Sequence, residues 1–399
     1  MKKLRILFEC PSYLPVRGGI QIGTHITAKE LIRRGHDVSV LCEQTDLKFK
    51  EYEIIDKVKV YRFPKASLPK AFKSLTFVHK QAKIKKYLKS FLEKNELDVV
   101  ISRFPFYVSP TKSIRDIPLI YYQPSIVHIA LEKSASNIVG LLNKFNQHIR
   151  SMNAYSIEKK AVKLADRTLA RGKAMVQVDI EDLKAEKKKI GILTHGICTN
   201  DFKSRKKDKS LIKKYNLKNK KVVLTVSRLT PDKNNVGLLR AFSNVKDKES
   251  ILLIVGGGKE EKDLRKLASK LDIEDRVVFA GNQDDVRKFY NLGDVFVLAS
   301  EQEGFGIVFL EALASGLPII GYKAEKGRVM TAVEDIIGNK KIGFAVKNEK
   351  DMANKIDLLL KDKKLLSKMK VNAKKRAKDF SWKDLVDNLL KEIDKVINK

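Results

Sequence analysis

The sequence has few residues of the kinds that form disulfides, bind structural metals or cross membranes. Its three cysteines, Cys10, Cys42 and Cys198, lie far apart without paired spacing. This pattern argues against a disulfide framework or a zinc site, so we expect three small buried residues in a reducing compartment. The longest apolar runs fall well short of the roughly 18 residues that span a bilayer. The first one, Ile6-Leu7-Phe8, is also too short for a signal peptide, so we expect a cytoplasmic protein.

Acidic residues are scarce relative to basic ones. The chain has 81 lysines and arginines against 48 aspartates and glutamates, a formal net charge of +33. Such a charge is compatible with nucleic acid, an anionic membrane or phosphorylated small molecules as partners, and it does not choose among them. Much of the excess is lysine along apparent helix faces, which a solvated surface explains equally well.

Several sequence motifs are also missing. There is no Asp-x-Asp pair of the kind that holds a divalent metal on a sugar nucleotide, and no Gly-x-Gly-x-x-Gly dinucleotide fingerprint. We find no zinc spacing, ribonucleoprotein pattern or helix-turn-helix signal, so no specific nucleic-acid partner is expected. We therefore predict neither a metal ion nor a cofactor.

What the sequence does contain is an alternation of strand and helix patterns in each half, which is typical of parallel α/β layers. With 399 residues the chain is long enough for two domains. We predict a first domain at 1–200, a second at 201–380 and a final helix at 381–399 that crosses back to the first, with Lys203–Lys214 as the linker. The predicted strands are Leu4–Phe8, Val38–Cys42, Val58–Phe63, Val99–Ser102, Leu119–Tyr122, Arg167–Ala170, Val222–Ser227, Ile251–Val255, Val277–Ala280, Val295–Ala299 and Leu317–Gly321.

The most informative segment is 303–313, which follows a predicted strand and opens a helix. Gly304 and Gly306 flank Phe305, so backbone N–H groups at the helix N-terminus are free to bind an anion. Glu303 precedes the helix and Glu311 lies within it. We expect the two carboxylates to bind hydroxyl groups on opposite sides of a bound diphosphate. A glycine-rich turn with a capping glutamate is the alternative.

A second constellation follows the strand at Val222–Ser227. Arg228 and Lys233 lie at its carboxyl end, where open α/β sheets bind their ligands. Two cations near a diphosphate stabilise a departing nucleoside diphosphate, as a metal ion does elsewhere. The alternative is a surface turn with two solvated charges.

Two further glycine-rich turns are weaker signals. Gly18 and Gly19 follow the first strand and allow close backbone approach to a ligand. Gly256, which begins a run of three glycines, is a strand-to-helix turn first and a ligand loop second.

Together these residues resemble family 4 of the retaining glycosyltransferases, which have the GT-B fold: two Rossmann-like parallel-sheet domains facing a central cleft. The resemblance is strong from Val222 to Gly321 and moderate at the N-terminus, through Gly18-Gly19 and Arg34-Gly35-His36. His195-Gly196-Ile197 is similar to the family's Asn-Gly-Val element, with histidine in place of asparagine.

The resemblance implies a role for each candidate residue. Arg228 and Lys233 would bind the donor diphosphate, and Glu303 with the N–H groups of Phe305 and Gly306 would hold the transferred sugar and phosphate. Glu311 would bind the ribose. The residues implied to bind substrate are Gly18, Gly19, His128, Gly256, Gly304, Phe305, Gly306 and Glu311. The family retains anomeric configuration and needs no metal.

Two departures from the family pattern concern substrate recognition. The family often has a histidine after the strand Leu119–Tyr122, where this chain has Gln123, with His128 nearby. His128 either substitutes or is a buried structural histidine. The loop after Gly321 lacks the family's Pro-Glu, for which Val333-Glu334 is a candidate counterpart.

We therefore predict a transferase that moves a sugar from a nucleoside-diphosphate sugar to a glycan or lipid-linked acceptor, with base, sugar and acceptor left open. The basic and apolar segment Phe72–Phe91 suggests peripheral docking at an anionic inner membrane surface, against an ordinary amphipathic domain helix. A sugar-nucleotide epimerase on the same fold and a basic nucleic-acid-binding protein are the competing interpretations.

Overall fold

The computed structural model describes residues 2–16, 18–64, 76–136 and 141–398. The chain folds into two compact units, one of Met1–Gly196 with Trp382–Lys399 and one of Ile197–Ser381. The interpretation of Lys203–Lys214 as the linker is wrong. Lys209–Lys214 is a helix of the second unit, and the Asp208 carboxylate caps it by accepting hydrogen bonds from two backbone N–H groups.

Strands and helices alternate along both units. The strands are β1 (Arg5–Cys10), β2 (Asp37–Gln44), β3 (Tyr52–Ile55), β4 (Val58–Pro64), β5 (Val99–Ser102), β6 (Leu119–Tyr122), β7 (Arg167–Ala170), β8 (Ile190–Ile192), β9 (Val222–Val226), β10 (Ile251–Val255), β11 (Val277–Gly281), β12 (Val295–Leu298), β13 (Ile319–Tyr322) and β14 (Gly343–Val346). The helices are α1 (Gly19–Arg33), α2 (Thr76–Lys94), α3 (Pro105–Ile114), α4 (Val127–Ser136), α5 (Leu141–Leu164), α6 (Lys173–Glu181), α7 (Lys209–Lys214), α8 (Asn235–Ser243), α9 (Glu261–Lys270), α10 (Arg287–Tyr290), α11 (Ile307–Ala314), α12 (Val333–Ile337), α13 (Glu349–Lys361), α14 (Lys363–Ala377) and α15 (Trp382–Ile397).

The first unit is built on an eight-stranded sheet in the order β3-β4-β2-β1-β5-β6-β7-β8. Neighbouring strands are parallel except for the hairpin of β3 and β4. Apolar clusters cover both faces, as parallel sheets require. Helix α15 belongs to this unit, because Leu385, Leu389 and Ile393 are buried in the same cluster as β1.

The second unit is built on a six-stranded parallel sheet in the order β11-β10-β9-β12-β13-β14. Two apolar clusters again cover its faces. The strand order reverses direction between β9 and β12, as it does between β1 and β5 in the first unit. Ligands of open α/β sheets bind beyond the carboxyl ends of the strands at such a switch point.

Two expectations about surfaces and cysteines need correction. In the segment predicted to dock on a membrane, Ile84 and Leu88 of α2 are buried in the core, so these two side chains are not available to lipid. The residues Phe72 and Leu75 and the side chains of Phe77 and Val78 lie outside the described part of the chain.

Cys10 and Cys42 are buried, whereas Cys198 is half-buried. Within the described ranges no helix has the length and apolarity needed to cross a membrane.

Candidate functional site

Lys233 and Glu303 meet at the switch point of the second sheet. Lys233 ends a short 3₁₀ turn, Pro231–Lys233, that follows β9, and Glu303 lies in the loop between β12 and α11. Because β9 and β12 are neighbours in the sheet, these two loops leave it side by side. The Lys233 ammonium donates a hydrogen bond of 2.5 Å to a Glu303 carboxylate oxygen. Two residues that are 70 positions apart therefore form one ion pair where a ligand is expected.

The charge of Lys233 is set by its surroundings. Its side chain is 14% exposed, and its Nζ also lies 3.2 Å from a carboxylate oxygen of Asp232. Burial alone would lower the pKa of Lys233, but the charges of Glu303 and Asp232, with their hydrogen bonds, outweigh burial and raise it. Lys233 is therefore a positioned cation at neutral pH.

Arg228 is held differently from Lys233. Its side chain is 71% exposed, and its guanidinium lies 3.5 Å from Asp232, which is long for a hydrogen bond. Asp232 is itself fixed by a 2.6 Å hydrogen bond from the Thr230 hydroxyl. The structure therefore provides one fixed cation and one exposed cation, where the sequence predicted two of the same kind.

A distant segment braces Glu303. The Glu303 N–H donates to the Met330 carbonyl at 2.8 Å, and the Met330 N–H donates to the Glu301 carbonyl at 2.9 Å. The Ser300 hydroxyl adds a 3.3 Å hydrogen bond to the same Glu303 oxygen that Lys233 contacts. Met330 is buried. The sequence near Glu303 gives no sign of these contacts, because Met330 lies beyond the following strand, β13.

The turn after Glu303 opens helix α11, as the sequence predicts. Gly306 has φ of 80° and precedes the first helical residue, and a Cβ there would lie 2.7 Å from the Phe309 ring. Only glycine fits this position without strain. Phe305 is buried and packs edge-to-face on Phe380, with ring centroids 5.9 Å apart. Together Gly304, Phe305 and Gly306 bring the N-terminus of α11 next to Glu303.

Glu311 has a partner that sequence reasoning missed. The Tyr290 hydroxyl, at the end of α10, donates a 2.6 Å hydrogen bond to a Glu311 carboxylate oxygen. Burial raises the pKa of Glu311, and this hydrogen bond offsets part of the shift. Tyr290 is fully buried, so it fixes the direction in which the carboxylate points.

Close packing explains why glycine occupies two of the three positions after β10. A Cβ on Gly256 would lie 2.0 Å from the Ser227 carbonyl oxygen, and one on Gly258 would lie 2.2 Å from the Leu229 carbonyl oxygen. The glycines therefore let this turn pack against the segment that carries Arg228, which agrees with its interpretation as a turn.

In the first unit, Gly18 and Gly19 form the start of α1. Gly18 is extended and precedes the helix, and a Cβ there would lie 2.6 Å from the Gln21 side chain. His195 is buried, and burial with the charges of two arginines lowers its pKa to about 3, so it is neutral. Its ring packs edge-to-face on Trp382 at the start of α15, with ring centroids 4.9 Å apart.

Both candidates for the family's histidine position are held by buried carboxylates. A His128 ring nitrogen lies 2.6 Å from Glu158, which also accepts a hydrogen bond from the His128 N–H. The Gln123 amide donates to Asp179 at 2.8 Å. Each side chain thus has one polar end anchored in the interior of the first unit.

Among the described residues, no group of three or more histidine, cysteine, aspartate and glutamate side chains is arranged to hold a metal ion.

Two family models match consecutive parts of the chain. The model for Glycosyltransferase Family 4 matches residues 17–201, and the model for Glycosyl transferases group 1 matches residues 207–376. The second match contains Arg228, Lys233, Glu303 and Glu311.

Individual relatives agree with the family models. An uncharacterized glycosyltransferase of Haemophilus influenzae is 27% identical over 378 residues, which cover 93% of this chain and 94% of the relative. The N-acetylgalactosamine-N,N'-diacetylbacillosaminyl-diphospho-undecaprenol 4-alpha-N-acetylgalactosaminyltransferase of Campylobacter jejuni is 26% identical over 65% of this chain and 67% of its own length. Among solved structures, HepE of Anabaena in complex with UDP and glucose has a TM-score of 0.74 at 19% identity, covering 97% of this chain and 98% of that one.

The comparisons confirm the predicted GT-B fold of two parallel-sheet α/β domains and the predicted class of enzyme. They favour sugar transfer over the epimerase and nucleic-acid interpretations. The chain belongs to the family 4 glycosyltransferases.

Proposed function

We propose that this enzyme transfers a sugar from a nucleoside-diphosphate sugar to an acceptor, with retention of anomeric configuration and without a metal ion. The observation that carries the proposal is the Lys233–Glu303 pair at the switch point of the second sheet. It sets a protonated amine and a carboxylate 2.5 Å apart beside the N-terminus of α11. Support for a nucleotide donor comes from HepE, whose solved complex contains UDP and glucose.

In this proposal Lys233 and Arg228 bind the diphosphate in different ways. Lys233, already fixed and protonated, contacts a phosphate oxygen and stabilises the charge that develops as the nucleoside diphosphate leaves. Arg228 is exposed in the free protein and closes onto the diphosphate when the donor binds. Together with the N–H groups of Phe305 and Gly306, they supply positive charge that a metal ion supplies elsewhere.

The carboxylates hold the neutral parts of the donor. Glu303 accepts hydrogen bonds from hydroxyls of the transferred sugar, and its pairing with Lys233 reduces its repulsion of the nearby diphosphate. Glu311, oriented by Tyr290, accepts hydrogen bonds from the ribose hydroxyls. The acceptor attacks the sugar from the face from which the leaving group departs.

We further propose a lipid-linked acceptor and a cytoplasmic enzyme. The name of the Campylobacter relative gives a diphospho-undecaprenol-linked sugar as its acceptor. The net charge of +33 favours approach to an anionic lipid surface.

Two steps test the proposal. Thermal-shift screening of nucleoside diphosphates and sugar nucleotides identifies the donor, and turnover is then compared for Arg228→Ala, Lys233→Ala and Glu303→Ala. Each change should lower turnover by on the order of a hundredfold in a protein that stays folded, because each removes a preorganised charge contact. Turnover like that of the wild type in all three variants would contradict the assignment, and Lys209→Ala on α7 serves as the surface control.

A further inference from the structure

The outward face of helix α14 is a stripe of lysines. Residues three, four and seven positions apart share one face of an α-helix, and the exposed residues of α14 follow this spacing. The opposite face, which includes Met369 and Ala373, is buried in the second unit. We call the exposed set the lysine stripe, and the last of its members directly follows the helix. Its six lysines are Lys363, Lys364, Lys368, Lys374, Lys375 and Lys378.

The lysine stripe has no acidic residue within its own helix, because α14 contains neither aspartate nor glutamate. The two acids that flank the helix are engaged elsewhere: Asp362 caps it at the Leu365 N–H, and Asp379 lies 3.0 Å from Arg376. Lys370 and Arg376, which are half-buried at the margins of the stripe, are the basic residues of α14 that form ion pairs. Among the described residues, none of the six stripe lysines does so.

Helix α9 of the same unit has an exposed face of a different kind. It carries Lys262, Lys266 and Lys270 together with acids, and its Glu261 lies 2.8 Å from Arg265. Opposite charges at this spacing stabilise a helix, whereas like charges three or four positions apart destabilise it. A face of mixed charge also serves solubility well. The lysine stripe therefore keeps a repulsion that a merely solvated surface does not need.

The lysine stripe is a long, convex surface. Helix α14 has 15 residues, so at ~1.5 Å per residue the stripe extends over roughly 22 Å. Besides the lysines, the exposed residues of this face are Ser367 and Val371, and Val371 is 54% exposed near its centre. The face thus has no arginine or aromatic side chain of the kind that binds base edges or stacks on bases. A row of point charges around an apolar side chain instead complements the head groups of an anionic membrane, which clusters of about four to eight lysines and arginines bind.

We propose that the lysine stripe docks the second unit on an anionic lipid bilayer. The six ammonium groups lie against the head-group phosphates, and Val371 contacts the bilayer near the centre of the stripe. The inference rests on the proposed function, because a lipid-linked acceptor brings the reaction to a membrane. It puts the membrane contact on α14 and not on the segment Phe72–Phe91, where Ile84 and Leu88 are buried.

Vesicle sedimentation with the full-length protein tests the inference. The stripe variant combines Lys364→Gln, Lys368→Gln and Lys375→Gln. It is compared with the wild type on vesicles of phosphatidylcholine with and without phosphatidylglycerol, an anionic lipid. Each lysine at an anionic surface strengthens binding about fivefold, so the stripe variant should bind the anionic vesicles on the order of a hundredfold more weakly. A wild type that does not prefer anionic vesicles would overturn the inference.

A matched control separates the position of the charges from their number. The control variant combines Lys262→Gln, Lys266→Gln and Lys270→Gln on α9, whose side chains are also exposed, so it has the same net charge as the stripe variant. We expect the control variant to bind anionic vesicles as the wild type does. Equal losses in both variants would overturn the inference, because total charge would then explain the binding.

Two further measurements separate loss of the docking surface from misfolding. All substituted side chains are exposed, so the stripe and control variants should melt within a few degrees of the wild type. Lys364→Arg, Lys368→Arg and Lys375→Arg together keep the charge, and a variant with these three changes should bind anionic vesicles as the wild type does. Loss of vesicle binding in this charge-retaining variant would overturn the inference, whatever the melting temperature of the stripe variant.

Short DNA duplexes and single strands test the competing polyanion. Their binding to the wild type and to both glutamine variants is measured by fluorescence anisotropy at the salt concentration of the vesicle experiment. DNA binding that falls in the stripe variant, while its vesicle binding stays equal to that of the wild type, would overturn the inference and assign the stripe to nucleic acid. DNA binding that falls equally in both glutamine variants, with vesicle binding lost only in the stripe variant, supports the inference.

Nucleoside diphosphate binding keeps this inference apart from the donor assignment. No stripe lysine belongs to the candidate donor site, so the stripe and control variants should bind the nucleoside diphosphate found by screening as the wild type does. Vesicle binding lost only in the stripe variant supports the inference even if nucleoside diphosphates fail to bind, a result that would instead contradict the proposed function. Normal nucleoside diphosphate binding without a preference for anionic vesicles would overturn the inference alone.

Discussion

Replacing Lys233 with methionine is the sharpest perturbation of the candidate donor site. The change keeps the apolar stem and removes the ammonium that lies 2.5 Å from Glu303 and 3.2 Å from Asp232. Leaving a largely buried carboxylate without its charged partner costs about 1–3 kcal/mol, and the hydrogen bond that the Ser300 hydroxyl still donates to Glu303 places the effect toward the lower end. We expect a loss of about 1–2 kcal/mol in the free energy of unfolding of the second unit.

The expected loss of activity is larger than the loss of stability. Removing one preorganised charge contact lowers turnover by on the order of a hundredfold, or roughly 2.7 kcal/mol in the activation barrier. A loss of about 1–2 kcal/mol lowers the melting temperature of a domain of this size by roughly 2–8 °C, so the variant remains folded at 25 °C. Initial rates of nucleoside diphosphate release, measured with the donor found by screening, and a thermal melt separate the two effects.

A surface lysine of the same unit provides the matched control. Lys221 pairs with Asp247 at 2.7 Å but is 44% exposed, so Lys221→Met should change stability by under about 1 kcal/mol and leave turnover intact. Turnover of Lys233→Met within about threefold of the wild type would refute the reasoning, whatever its melting temperature. A hundredfold loss in both lysine variants would also refute it, because the effect would then not depend on the site.

Three further predictions concern the second unit and one buried acid. Tyr290→Phe removes the hydrogen bond that orients Glu311, so the affinity for the nucleoside diphosphate should fall by about tenfold, with a smaller effect on the maximal rate. Calorimetry and steady-state kinetics measure the two quantities. Gly256→Ala, which places a Cβ 2.0 Å from a backbone oxygen, should destabilise the protein by more than about 2 kcal/mol in denaturant titrations. Gly281→Ala has open space around its Cβ and should cost about 1 kcal/mol, from positive φ alone. Burial raises the pKa of Glu9 to about 7, so between about 4.5 and about 7 the folded state binds more protons than the unfolded state. The stability of the wild type relative to Glu9→Gln should therefore fall as the pH rises through that window, and parallel melts with no divergence would contradict this.

The sequence predicted the interior of both sheets better than their margins. Strands at Val99–Ser102, Leu119–Tyr122 and Arg167–Ala170 have the predicted bounds, because short, largely apolar runs between turn residues are typical of buried parallel strands. Three strands were not predicted, namely β3, β8 and β14. They lie at the edges of the two sheets and are only partly buried, so their sequences lack a continuous apolar run.

The candidate donor site was predicted where the signal is local. Gly304, Gly306 and Lys233 lie in strand-to-helix turns, whose residue types follow from the backbone conformation that the turn requires. Tyr290 and Met330 were missed, since their contacts with Glu311 and Glu303 exist only once distant strands are side by side. The identity of a residue such as Tyr290 gives no sign of which carboxylate it will orient.

The basic composition of the chain shows why burial, and not net charge, indicates function. The net charge of +33 did not choose among nucleic acid, membrane and phosphorylated ligands. Basic residues on the surface, such as Lys221 with Asp247, form ion pairs that contribute little. Lys233, by contrast, is largely buried and is held beside two carboxylates at a switch point. Because desolvating a cation is costly, the largely buried Lys233 is a stronger candidate for a functional residue than an exposed lysine such as Lys221.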